Sequence, residues 1–213
     1  MKKKDLIFIT VVLIVIVAFI VLSNTFGNNK GSKQQPKPSE ESYKDLLSGK
    51  HYVVIDVQNY GKIKLELDAD EAPITVTNFI NLVNDKFYDG LTFHRIIEGF
   101  MIQGGGYETD GSRKSANSIK GEFAQNNVKN SILHKRGVIS MARANDMNSA
   151  SSEFFIMHED DDYLDGRYAA FGKVISGMEV VDKIATDAKP TDNNGSINLK
   201  DRPVIKSIRV VEN

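Results

Sequence analysis

A mainly β domain, a closed antiparallel eight-stranded barrel plugged by two α-helices, is the architecture this sequence predicts. Three observations predict it. Eight short segments carry strand signals and two longer ones carry helical spacing, with turn residues between them. From Tyr43 to Asn213 the chain has the length of one domain, about 170 residues, enough to build a sizeable core. Many short strands with few helices suit closure, and closure removes the sheet edges that invite aggregation.

Ahead of this domain stands Met1 to Asp5, MKKKD, followed by an apolar run from Leu6 to Leu22 interrupted by Thr10. The run has 17 residues, at the lower end of the roughly 17 to 25 that span a bilayer and longer than the about 7 to 15 of a cleaved signal core. It predicts a transmembrane signal-anchor helix over residues 6–22, and Lys2, Lys3 and Lys4 predict that residues 1–5 stay in the cytoplasm. The domain is then expected outside the cytoplasm, attached to the cell membrane by a single pass. Cleavage near Val21-Leu22-Ser23 would instead give a secreted form. Residues 23–42, SNTFGNNKGSKQQPKPSEES, hold one large apolar side chain and cannot bury enough surface to offset their ordering entropy, which predicts a flexible linker.

Within residues 43–213, Tyr52 to Val57 and Gly61 to Leu67 alternate, placing Val53, Ile55, Val57, Ile63, Leu65 and Leu67 on one face of a hairpin turned at Asn59-Tyr60-Gly61. Pro73 suits a first helical position, and Val76, Phe79, Ile80 and Val83 recur at helical spacing through PITVTNFINLVNDK. That helix gives way at Tyr88-Asp89-Gly90. Strands are expected at Phe93 to Ile97, Met101 to Gln103, Val138 to Met141, Phe154 to Met157, Ala170 to Val174 and Val204 to Val211. Ser176-Gly177-Met178-Glu179 has the capping-box pattern that opens a second helix, through about Ile184.

Composition excludes several functions. Removing the six lysines and three acidic residues of positions 1–42 from the chain's 27 basic and 28 acidic residues leaves 21 and 25, a net charge of −4. That gives no basic stripe for nucleic acid. The absence of cysteine removes disulfides, thiolate metal sites, thiol nucleophiles and lipid attachment. Gly104-Gly105-Gly106 is followed by neither a Lys-Ser/Thr pair nor a helix signal, so it reads as a turn ending a strand and not as a phosphate loop. Glu159 to Asp162, EDDD, lacks the spaced ligands of a calcium loop and reads as a solvated acidic loop. The histidines, at 51, 94, 134 and 158, have no ligand spacing, and Ser140 and Ser149 to Ser152 lack a nucleophile elbow. No metal or cofactor is expected.

One stretch is left to explain, Phe93 to Gly106, FHRIIEGFMIQGGG. A charged residue is seldom placed in a short apolar strand without a partner or a task. Arg95 is either a structural salt-bridge partner or a guanidinium presented from a rigid sheet beside an apolar pocket made partly by Phe100 and Met101. With no nucleophile, metal or general base, such a site suits rotation about a peptide bond. That barrier, about 18 to 20 kcal/mol, reflects partial double-bond character, and for X-Pro bonds no covalent bond need break to cross it.

This stretch resembles the signature of the cyclophilins, and three further blocks match that family in order: GVISMA (Gly137 to Ala142), SEFFIM (Ser152 to Met157) and LDGRYAAFGKV (Leu164 to Val174). The resemblance runs from roughly Tyr52 to the end of the chain and implies a cyclophilin-like fold and peptidyl-prolyl cis-trans isomerase activity on proline-containing polypeptides. It implies that Arg95 is the catalytic donor, with Gln103 positioning it, and that Phe100, Met101, Phe155 and Leu164 form the proline pocket. It also implies that Met141, Ala142, Arg143 and Ala144 offer backbone groups to an extended peptide, Arg143 standing where the family often has Asn. Glu153 stands where Gln is common, Tyr163 where many members have Trp, and Tyr168 where many have His. Activity is expected to survive these departures, with cyclosporin bound weakly. The competing reading is a membrane-tethered peptide-binding or chaperone module, which would not require Arg95 specifically.

Overall fold

The computed structural model describes residues 45–213; the expected anchor and linker lie outside the described residues. Among those described, no helix is long and apolar enough to cross a membrane.

The elements run β1 (Lys50–Val57), β2 (Gly61–Asp68), α1 (Pro73–Asn84), β3 (Phe93–Ile97), β4 (Met101–Gly104), β5 (Val138–Met141), β6 (Phe154–Met157), β7 (Ala170–Ser176), α2 (Met178–Asp187) and β8 (Ile205–Val211). Short 3-10 turns at Ala124–Asn126, Asp162–Leu164 and Leu199–Asp201 punctuate the loops. All eight expected strands form. β1 and β2 make the expected hairpin, with Val53 opposite Leu65 and Ile55 opposite Ile63. Asn59 takes the left-handed conformation, φ 66°, that an Asn tolerates in such a turn.

The strands form one eight-stranded antiparallel sheet in the order β3-β4-β6-β5-β7-β2-β1-β8. The expectation of a closed barrel is corrected here. The edge strands β3 and β8 share no ladder, and the sheet curls into an open half-barrel. A single bridge, Thr92 to Val204, and the bonds from the Phe93 amide to the Pro203 carbonyl (2.9 Å) and from Gly90 N–H to the Ile205 carbonyl (2.8 Å) tie the two edge strands only where they begin. Alternation in a strand reports which face is buried, not whether the edges meet. The difference was therefore not written in the pattern.

The concave face and both helices share one core. Val53, Ile55, Leu65 and Leu67 from the hairpin meet Val76, Phe79 and Val83 of α1 and Val181 and Ile184 of α2. At its centre Phe79 packs against Tyr88, Phe154 and Phe171 with ring centroids 5.1 to 5.6 Å apart. Pro73 opens α1 as expected, but Ala72 at the N-cap offers no side-chain acceptor. The buried Glu122 supplies one from 48 residues away, accepting from the amides of Ile74 (3.0 Å) and Thr75 (2.8 Å) and from the Thr75 hydroxyl (2.7 Å). A carboxylate suits the positive end of a helix. The capping box expected at α2 is not made: Ser176 ends β7, and Gly177, at φ 90°, is the N-cap without a side-chain bond.

Candidate active site

Four strands align one row of side chains across the outer face of the sheet. Arg95 pairs with Gln103, Gln103 with Phe155 and Phe155 with Ser140. Their sequence neighbours Ile96, Ile102, Phe154 and Ile156 point the other way, into the main core. A register shift in β3 between Phe93 and Arg95 keeps both Phe93 and Ile96 in the core while turning Arg95 toward Gln103. Such bulges re-aim side chains.

The Arg95 guanidinium is fixed from two sides. Nε donates to the backbone carbonyl of Asn194 (2.7 Å), while Nη1 donates to Gln103 Oε1 (3.2 Å) and lies 3.8 Å from Met101 Sδ. Nη2 hydrogen-bonds to no described residue. The Asn194 carbonyl is itself held: Asp192 accepts from the amides of Asn194 (2.9 Å) and Ser196 (3.0 Å), and Gly195 bonds through its carbonyl to the Ile96 amide (2.8 Å). No carboxylate among the described residues lies within ion-pairing distance of Arg95, so the salt-bridge reading of this residue falls. Burial pulls the guanidinium below its ordinary value, but an arginine starts high enough to remain charged at neutral pH.

Beside the guanidinium lies a second apolar cluster, separate from the main core. It joins Met101, Val138, Phe155, Met157, Leu164 and Ala170 with the half-buried Phe100, Ala142 and Tyr168 packed against them. Every residue expected to line the proline pocket is in it. The Arg95 guanidinium carbon sits 5.9 Å from the Phe100 ring centroid, so cation and apolar surface adjoin. Tyr163 stands at the rim, 36% exposed, with the Arg167 guanidinium 4.0 Å over its ring. Tyr168 meets Phe155 edge to face at 5.9 Å and is covered by Arg143 at 4.8 Å. The Arg143 side chain also donates from Nε and Nη2 to the Arg167 carbonyl (3.0 and 2.9 Å), fixing this corner.

The backbone expected to receive peptide is narrower than the sequence suggests. The amides of Met141, Ala142 and Ala144 are taken by the Ala169 carbonyl, the Glu153 carbonyl and the Ser149 hydroxyl. The Ala144 carbonyl accepts from Arg143 Nη1. The Arg143 amide and carbonyl are left unengaged among the described residues.

Beneath the pocket is a constellation the sequence reading missed. His134 stands between Asp165 and Ser140, with Nδ1 3.0 Å from Asp165 Oδ1 and Nε2 3.0 Å from Ser140 Oγ, and its ring stacks on Phe155 at 6.0 Å. This order resembles a hydrolase triad, but Ser140 is 0% exposed and His134 1%, so no substrate reaches the hydroxyl. The three residues brace the pocket floor. Residues 134, 140 and 165 share no motif spacing, so nothing local in the sequence signals the contact.

His94 packs its ring 4.6 Å from that of Tyr107. Burial, reinforced by the charges of Arg202 and Arg95, lowers its pKa to about 4. It is therefore neutral near pH 7, and its 3.5 Å approach to Glu153 is a polar contact and not an ion pair. Taken together, the site offers one rigid cationic donor against an apolar pocket, with no accessible nucleophile.

Comparison with known proteins agrees with this geometry. The family model described as "Cyclophilin type peptidyl-prolyl cis-trans isomerase/CLD" matches residues 52–212. The chain belongs to this family and is a peptidyl-prolyl cis-trans isomerase. Among relatives, peptidyl-prolyl cis-trans isomerase A of Dickeya dadantii is 43% identical over 159 residues, covering 71% of this chain and 80% of that protein. Peptidyl-prolyl cis-trans isomerase B of Escherichia coli is 38% identical, covering 72% and 96%. The crystal structure of a Cryptosporidium parvum cyclophilin-type isomerase superposes with a TM-score of 0.64 at 30% identity, over 78% of this chain and 99% of that one. A second structure of the same protein was determined in the presence of the dipeptide Ala-Pro.

Proposed function

We propose that Arg95 is the catalytic donor of this isomerase, and that the enzyme works outside the cytoplasm on X-Pro bonds of polypeptides folding there, tethered by residues 6–22. The observation that carries the catalytic reading is the fixed guanidinium, bonded at Nε and Nη1, with Nη2 uncommitted beside the Phe100 and Met101 surface.

As an X-Pro amide twists, conjugation is lost and the prolyl nitrogen becomes a hydrogen-bond acceptor. A donor aimed at that nitrogen binds the twisted state better than either planar state, which is the condition for lowering the barrier. Arg95 meets it with a permanent charge and little reorganisation, because its orientation is set before substrate arrives. Phe100, Met101, Phe155 and Leu164 hold the proline ring while the preceding carbonyl rotates. The unengaged amide and carbonyl of Arg143 give an extended peptide its backbone partners. The proline-containing dipeptide placed with the Cryptosporidium relative supports the substrate class.

The location rests on the sequence of residues 1–22, three lysines and then an apolar run. Protease added to intact, wall-stripped cells is expected to remove the domain. Full protection would refute the topology, and a shortened chain in the medium would identify a cleaved signal.

A further inference from the structure

Residue 153 is a glutamate in contact with the residue that holds Arg95, and its surroundings assign it a role. The Glu153 side chain is 17% exposed. Its Oε2 accepts from Gln103 Nε2 at 3.0 Å and lies 3.5 Å from His94 Nε2, while Oε1 faces Arg113 Nη2 at 3.4 Å. Room for it is made by Gly106, where a Cβ would lie 2.5 Å from Glu153 Cγ. The carboxylate is thus seated in a fitted place behind the row of Arg95 and Gln103.

Its chemistry decides what Gln103 can do. A primary amide has one donor end and one acceptor end, and it can turn over. Arg95 is acceptor-free, so it needs the oxygen of Gln103; a carboxylate is donor-free, so it needs the nitrogen. With both neighbours of fixed polarity, the chain Arg95 Nη1 to Gln103 Oε1, then Gln103 Nε2 to Glu153 Oε2, has one consistent order. An amide at position 153 could present either end to Gln103, so Arg95 alone would then hold Gln103 in this order. The carboxylate also places a negative charge one hydrogen-bonded residue behind a buried cation that no acidic group among the described residues pairs with directly, where low local dielectric strengthens each link.

We propose that Glu153 is a positioning residue for catalysis: it locks the Gln103 amide with its oxygen toward Arg95 and so fixes the donor, without touching substrate. Arg113 and His94 steady the carboxylate from its other sides. This rests on the catalytic reading of Arg95.

The test is a double-mutant cycle on the full-length protein with Glu153→Met, Gln103→Met and the pair, which remove the polar groups while keeping side-chain length. Because the two residues act in series, Gln103→Met is expected to lower kcat about tenfold, Glu153→Met about threefold to tenfold with KM unchanged, and the pair no more than Gln103→Met alone. Losses that multiply in the pair, a change confined to KM, or an unchanged kcat in Glu153→Met would each overturn the proposal. Arg95→Ala, assayed beside them, separates this outcome from failure of the Arg95 reading, since only the latter leaves that variant as active as wild type. The Gln103 side-chain amide signals in an NMR spectrum give a second measurement independent of turnover. Glu153→Met is expected to shift the bonded amide proton upfield, and unchanged signals would show that the bond does not form.

Discussion

Gly195 lies in the loop after α2, yet replacing it is expected to impair both the fold and the site. Its φ is +85°, and a Cβ built there would lie 2.5 Å from Ile97 Cγ1 and 2.6 Å from the Ile96 carbonyl oxygen. The left-handed conformation costs a non-glycine residue roughly 1 to 2 kcal/mol, and forcing an atom into packed surroundings costs typically about 1 to 3 more. Gly195→Ala is therefore expected to destabilise the domain by about 2 to 5 kcal/mol, or roughly 4 to 20 °C in Tm for a chain of this size. The loop can relieve the clash by moving away from β3, which withdraws the Asn194 carbonyl from Arg95 Nε. A fall in kcat/KM beyond the loss of folded protein should follow. Gly49→Ala is the control, because Gly49 has φ +73° but nothing within 4 Å of an added Cβ, so strain alone acts. Thermal melts and a proline-isomerisation assay on both variants decide the matter. If Gly195→Ala melts with Gly49→Ala and turns over like wild type, neither the packing estimate nor the Asn194 support of Arg95 stands.

Other expectations follow from the same geometry. His94 has its pKa lowered from 6.5 to about 4, so the unfolded chain binds a proton in that window that the folded chain refuses. Stability should fall as pH drops from about 6.5 to about 4, by up to about 3 kcal/mol from this residue. His134, also lowered by burial, acts in the same direction, whereas Glu122, raised by burial, opposes it. Melts of wild type and His94→Gln at pH 7 and pH 4.5 isolate the difference, and equal losses in the two would refute the assignment. At the rim, Tyr163 offers a smaller face than indole and no N–H, and Arg167 already covers one side of its ring. Tyr163→Trp is expected to tighten cyclosporin inhibition roughly tenfold to hundredfold, or about 1 to 3 kcal/mol, with little change in turnover of a small proline peptide. Equal inhibition constants would show that residue 163 is not the determinant.

Much of this molecule was legible in the chain because its strands alternate. Val53, Ile55 and Val57 against Ile63, Leu65 and Leu67 define the hairpin face, and the helical recurrence of Val76, Phe79, Ile80 and Val83 defines the buried side of α1. The anomaly of a charged Arg95 among apolar neighbours marked the candidate site, and the cyclophilin resemblance named residues that the second cluster brings together. What was not legible depends on long-range pairing. Glu122 caps a helix 48 residues earlier, Asn194 holds an arginine 99 residues away, and His134 reaches Asp165 across 31. Local spacing does not encode such contacts. The capping-box pattern at Ser176 failed because β7 claims that residue and the chain turns at Gly177. The half-barrel differed from the expected barrel for a similar reason: nothing in the strands themselves says whether β3 meets β8.

The central claim is that a fixed guanidinium lowers the barrier to X-Pro rotation, and Arg95→Ala tests it most directly. In a proline-isomerisation assay the variant is expected to retain its thermal melt and lose at least about tenfold in kcat/KM, corresponding to about 1.4 kcal/mol of transition-state stabilisation. A folded Arg95→Ala protein as active as wild type would contradict the claim and leave the pocket as a peptide-binding surface whose rate enhancement comes from elsewhere.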